Sequence, residues 1–186
     1  MTYSIETQGA DRLASLFGAL ETEVARAQVN AINAGATEFR RGFVDDIHQA
    51  TGLKKKLLRE RIRIRRAKQA NPQARLVPDS QGLPITEYVW RPEPAGHPTR
   101  ARILIRWFGG WKVAAGFVNP EADTPLPMKT ITSRGRLRRP VLAHGISVAA
   151  AFKVARDDGR LDRYGARLAE IFEDKLADQL ARRTNQ

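Results

Sequence analysis

Between Ala10 and Ala50 the apolar positions recur every three or four residues: Leu13, Leu16 and Phe17, Leu20, Val24, Ala27 and Ala31, then Ile32, Phe39, Phe43 and Ile47. That period predicts helix. Gly18, Gly35 and Gly42 weaken it, each costing up to about 1 kcal/mol relative to alanine. The expectation is a short first helix, a break near Gly18 to Glu21, and a long second helix to about Gln49. The small side chains from Ala31 to Ala36 permit close packing, in the core or between subunits.

Thr51-Gly52 ends this pattern, and Thr51 is placed to cap a next helical turn, Leu53 to Arg59, in which Leu53, Leu57 and Leu58 share a face. The period then changes to two. Arg61-Ile62-Arg63-Ile64-Arg65 alternates strictly, which predicts a strand with both isoleucines on one face and three arginines on the other. Asn71-Pro72 breaks the chain, Ala74 to Val77 returns as a partner strand, and Pro78-Asp79 and Gly82 turn it again.

Ile85 to Trp90 reads as an edge strand followed by an irregular loop, because Pro84, Pro92, Pro94 and Pro98 surround it. Arg100 to Phe108 and Trp111 to Val118 form a hairpin, with Gly109-Gly110 as its two-residue turn. Asn119 to Pro140 holds four prolines and few apolar residues, so a basic loop ordered on assembly is expected. Ile146, Ala149, Ala150 and Phe152 suggest a short helix. After Asp157-Asp158-Gly159, Leu161, Tyr164, Leu168, Ile171, Phe172, Leu176 and Leu180 keep helical spacing for a final amphipathic helix closing the core over the sheet.

Charge sharpens this picture. The 186 residues carry 32 Lys and Arg against 20 Asp and Glu, a formal charge of +12. Residues 1–53 are net −3 and residues 156–186 are neutral, so the middle of the chain holds all the excess. It falls in two blocks: Lys54 to Arg75, with ten cations and one glutamate, and Lys129 to Arg139, with five cations and no acid. Single-sign blocks read as surfaces facing an anion, either nucleic acid or acidic protein.

Other chemistry finds little support. With no cysteine, disulfide scaffolds and thiol-ligated metals are excluded. His48, His97 and His144 lack metal-ligand spacing. Asp45 and Asp46 could be imagined as a Mg²⁺ pair in a nuclease, but on a helix they point about 100° apart and suit a solvated face better. No phosphate-cradling glycine loop or nucleophile elbow is found, so no catalytic residue, metal or cofactor is expected. Trp90, Trp107 and Trp111 with Tyr88, Phe108 and Phe117 admit two readings: base stacking, or the preferred core or subunit contact. No apolar run spans a membrane, and the N-terminus lacks a basic-then-apolar leader, so a soluble protein of a reducing compartment is expected.

The run Leu53-Lys54-Lys55-Lys56-Leu57-Leu58-Arg59-Glu60-Arg61-Ile62-Arg63-Ile64-Arg65-Arg66-Ala67, followed by Asn71-Pro72-Gln73-Ala74-Arg75, resembles the signature stretch of the minor tail protein Z family of long-tailed phages. Asn30-Ala31-Ile32-Asn33 upstream, Leu83-Pro84 downstream, Gly116-Phe117-Val118 and Ala150-Ala151-Phe152 agree with it. The resemblance implies a non-enzymatic virion protein that completes the head-proximal end of a tail and enables head–tail joining and DNA positioning. It implies a homo-oligomeric ring of about six copies, contacts with a tail terminator or tube protein and a head connector, and host cytoplasm as the place of assembly.

Residues and resemblance together give the following expectation. One α+β domain spans 1–186: helices over 1–50, a basic helix turn and antiparallel sheet over 51–118, a basic loop over 119–145, and C-terminal helices over 146–186 packed on the sheet. Its DNA- or partner-facing surface is Lys54, Lys55, Lys56, Arg59, Arg61, Arg63, Arg65, Arg66, Arg75, Arg134, Arg136, Arg138 and Arg139. The alternative function is sequence-independent nucleic-acid binding in solution.

Overall fold

The computed structural model describes residues 8–132 and 138–157, and beyond them 167, 170, 171, 173–175, 177, 178 and 181; the side chains of 8–21, 23, 132 and 138 fall outside that description. The expected α+β class is observed: helices accompany sheets whose strands all pair antiparallel.

Helix α1 runs from Gln8 to Thr51 without interruption. The expected break near Gly18 is therefore wrong, because glycine only lowers helix propensity and keeps the N–H that proline would remove. α1 ends where Gly52 turns left-handed (φ 77°) and sends its N–H back to the His48 carbonyl at 2.8 Å. The Thr51 hydroxyl donates to the Ile47 carbonyl at 2.6 Å and accepts the Leu53 N–H at 3.3 Å. Thr51 thus closes α1 instead of capping the next helix. That helix, α2 (Lys55–Arg61), starts at Lys54 without a side-chain cap.

Strands β1 (Ile62–Arg65) and β2 (Arg75–Pro78) pair antiparallel, with Ile62 opposite Pro78 and Arg65 opposite Arg75. This is the hairpin that the alternation predicted. β3 (Gly82–Pro84) pairs with the distant β9 (His144–Ser147), and a 3-10 turn follows it at Ile85–Glu87. Ile85 to Trp90 is accordingly not a strand.

The strand is instead β4 (Trp90–His97), laid through the prolines. The Arg106 N–H donates to the Val89 carbonyl at 2.8 Å, and this sets the phase of pairing with β5 (Arg100–Trp107). By alternation residues 91 and 93 bond to β5, while Pro92 and Pro94 turn their missing donors outward, where an edge strand loses nothing.

β5 continues into β6 (Gly110–Val118), and Trp107 pairs with Gly110, so the turn is Phe108-Gly109, one residue earlier than expected. Both turn residues have positive φ, 40° and 85°, as a primed hairpin turn requires. β7 (Met128–Thr132) and β8 (Arg138–Leu142) complete a sheet of order β4-β5-β6-β7-β8. Strands therefore replace much of the expected loop, and three sheets stand where one was expected. β7, mostly polar, and β8, which carries Pro140, show no apolar alternation strong enough to read.

Helix α3 (Val148–Ala155) is capped by Ser147, whose hydroxyl accepts the Ala150 N–H at 3.2 Å. The core joins Phe43, Val44 and Ile47 of α1 to Leu58, Ile62, Leu83, Ile85, Ile103, Ile105 and Val118, with Val148 and Ala151 behind them. Phe43 stacks on Phe152 at 4.4 Å between centroids. Most of the expected final helix lies outside the described residues; of those described there, Ile171 is buried and lines a recess with Phe39 and Gly42 of α1.

Candidate functional site

The basic surface starts where α1 stops. Leu53 and Leu58 are fully buried, which fixes how α2 rotates and leaves Lys54, Lys55, Lys56 and Arg59 exposed. Lys55 pairs with the Asp45 carboxylate of α1 at 2.6 Å. The Lys55 hydrogen bond holds that carboxyl below its ordinary range. Asp45 is thus an anchor for α2, and among the described residues no cluster of three or more His, Asp or Glu side chains is placed to hold a metal ion.

The arginines of the alternating run separate. Arg61 is the last residue of α2, and its guanidinium is bound to Asp79 at 2.5 Å. The strand expected from Arg61 begins one residue later, at Ile62, because the chain is still helical at 61. Asp79 also accepts the Gln81 N–H at 2.9 Å, and its backbone N–H donates to the Arg61 carbonyl at 2.8 Å. The Gln81 bond first, then Arg61, holds the Asp79 carboxyl below the ordinary carboxylate range.

Arg75, also expected on the basic surface, starts β2. It lies directly opposite Arg65, with Arg63 two residues along, and all three are exposed on one face of the β1–β2 hairpin. Opposite residues of a hydrogen-bonded antiparallel pair lie about 5.5 Å apart at Cα, and like charges so placed repel. Arg75 donates one N–H to Gln73 Oε1 at 3.2 Å. Arg66 is exposed just past β1.

The hairpin is braced from below by a residue that charge counting missed. The Asn33 side chain of α1 donates to the Ala67 carbonyl at 3.1 Å and accepts the Ala67 N–H at 2.8 Å. A polar residue amid the small apolar ones of 31–36 was the available signal.

The described part of the second basic block lies on the five-stranded sheet. Lys129 is on β7 and Arg139, exposed, is on β8 with Arg138; Arg134 and Arg136 lie outside the described residues. The two blocks do not share a sheet. A third cationic group escaped sequence reading: Arg91 lies over the Trp111 ring at 4.3 Å and Arg100 over Phe117 at 5.0 Å. Tyr88 is core, as preferred; its hydroxyl donates to the Ile146 carbonyl, and burial pushes the phenol's pKa up. Trp90 and Trp107 pack on the core, whereas Trp111 is 44% exposed.

Among the described residues no helix is long and apolar enough to cross a membrane. No curated protein and no solved structure matches the chain. The family profile of the prophage minor tail protein Z (GPZ) matches residues 9–103, which covers α1, α2, the braced basic hairpin, β3, β4 and the start of β5. With that match over half its length, the chain belongs to the prophage minor tail protein Z family, structural proteins of phage tails.

Proposed function

We propose that this tail protein completes the head-proximal end of the tail as a homo-oligomeric ring, and that the β1–β2 face lies toward the DNA that passes through. One observation carries the DNA-facing part of the reading: Arg63, Arg65 and Arg75 share an exposed face although two of them repel across the strands. A fold gains nothing from such a pair, whereas phosphate between the guanidinium groups relieves it. Around the ring, Lys54, Lys56, Arg59 and Arg66 add sequence-independent attraction that makes DNA easy to hold and easy to slide.

Joining then depends on a terminator or tube protein on one side and a head connector on the other. Assembly takes place in host cytoplasm and the product is part of the virion tail. The runner-up, nucleic-acid binding in solution, uses the same arginines without a ring. Complementation of a phage lacking this protein with R63Q/R65Q/R75Q separates the two readings. The tail reading expects normal heads and tails with a deficit at joining or DNA entry; full infectivity contradicts it. Tight DNA binding by the monomer at physiological salt, indifferent to sequence, supports the runner-up instead.

A further inference from the structure

The five-stranded sheet carries a second surface that the DNA-facing role leaves unused. Ala101, Ile103 and Ile105 of β5 point into the core, so Arg102, Leu104 and Arg106 lie on the other face. Register places Arg91 and Val113 on either side of Leu104, and Trp111 opposite Arg106. Near the Phe108-Gly109 turn this face therefore gathers Arg91, Arg106, Trp111 and Val113. Trp111 is 44% and Val113 56% exposed. Among the described residues no carboxylate lies within 4.0 Å of Arg91 or Arg106. Arg106 donates to the Gln49 carbonyl at 3.4 Å, which leaves the rest of its guanidinium available.

At the opposite end of β6 the chain leaves Val118 for the segment 119–127, roughly 23 Å away at ~3.3 Å per residue. Here Glu121 and Asp123 are exposed, and Leu126 is 49% exposed. Neither carboxylate has a cation within 4.0 Å among the described residues. The turn end of the sheet is cationic with an apolar centre; at the other end, beside Arg100 over Phe117, the segment 119–127 presents two carboxylates and an apolar tip.

Two arguments choose the occupant. Exposed Trp and Val beside arginine have the composition of a protein contact, since phosphate would leave the apolar centre uncovered. Strand addition is disfavoured at both sheet edges. Pro92 and Pro94 face outward on β4, and on β8 the Ala143 N–H, bonded to the Pro127 carbonyl at 2.9 Å, sets a phase in which Pro140 also faces outward. What remains is face against loop.

We propose that copies of this chain meet head to tail, with Leu126 of one copy seated against Trp111 and Val113 of the next, and Glu121 and Asp123 meeting Arg91 and Arg106. Contact between different patches at opposite ends is heterologous, the kind that closes into rings. The inference rests on the ring reading above and gives that ring its interface.

Sedimentation velocity of the full chain tests it, using wild type, a loop variant (E121K/D123K) and a patch variant (R91E/R106E). The wild type is expected to self-associate. Each variant alone should be weakened about tenfold or more, and an equimolar mixture should recover association because the reversed charges again complement each other. Circular dichroism checks folding; should the patch variant not fold, W111A paired with the loop variant carries the test. A wild type that stays monomeric at every concentration overturns the proposal. So does self-association indifferent to both variants, or a patch variant that loses only its binding to a short DNA duplex. Indifference with head–tail joining intact would sink this interface and leave the tail role standing, whereas failure of the complementation test would strike that role itself.

Discussion

Arg65 and Arg75 stand directly opposite each other across β1 and β2, both exposed, with Arg63 beside them on the same face. Their repulsion opposes folding and favours an anion, so stability and binding should respond to substitution with opposite signs. R75Q is expected to raise unfolding free energy by about 0.2–1 kcal/mol, the range for cross-strand pairs. It should also weaken duplex DNA binding and make its salt dependence about one unit shallower. Thermal melts and binding titrations at several salt concentrations read both; a loss of stability in R75Q would mean that the pair is not repulsive.

The Asn33 amide bonds Ala67 through both its oxygen and its nitrogen. N33A should cost about 1–3 kcal/mol by leaving partly buried backbone groups unpaired. N33D, which keeps only the acceptor, should lie between it and wild type. Urea unfolding of the three proteins ranks them, and equal midpoints would show the brace to be idle.

Acid should loosen the base of the hairpin, where β1 joins α2. The Asp79 carboxyl is held below its ordinary value of 3.8 in the folded protein. Its contribution is therefore present above about that pH and lost as pH falls through the lower folded value. Stability measured against pH should drop on the acid side, and D79N, unable to lose a proton, should show a shallower drop. Identical acid limbs would contradict the Arg61–Asp79 tie.

Asp45 holds Lys55, and among the described residues no group of three or more His, Asp or Glu side chains is placed to hold a metal ion. Purified protein with Mg²⁺, Mn²⁺ or Zn²⁺ is expected not to cleave DNA. D45A should cost no more than about 1 kcal/mol, as for a solvent-accessible ion pair. Metal-dependent cleavage abolished by D45A and D46A would establish the nuclease reading instead.

What the sequence made legible was local. The apolar stripe of α1 and the alternation of β1 depend on neighbours within a few residues, and both elements formed. The Arg61 tie was hidden because its partner Asp79 lies 18 residues on. β4 was hidden because whether Pro92 and Pro94 are tolerable depends on which side of the strand β5 occupies, and that is a property of pairing. The basic face was legible in composition but its pairings were not: Arg65 lies opposite Arg75, Arg61 is bound to Asp79, and Lys55 to Asp45.

The central claim is tested most directly by imaging the phage neck at a resolution that places this chain. The expected image is a ring at the head-proximal end of the tail, with Arg63, Arg65 and Arg75 of each copy turned toward the lumen within reach of DNA phosphate. The chain at the distal tip, or a ring whose β1–β2 hairpins face outward to solvent, would contradict it.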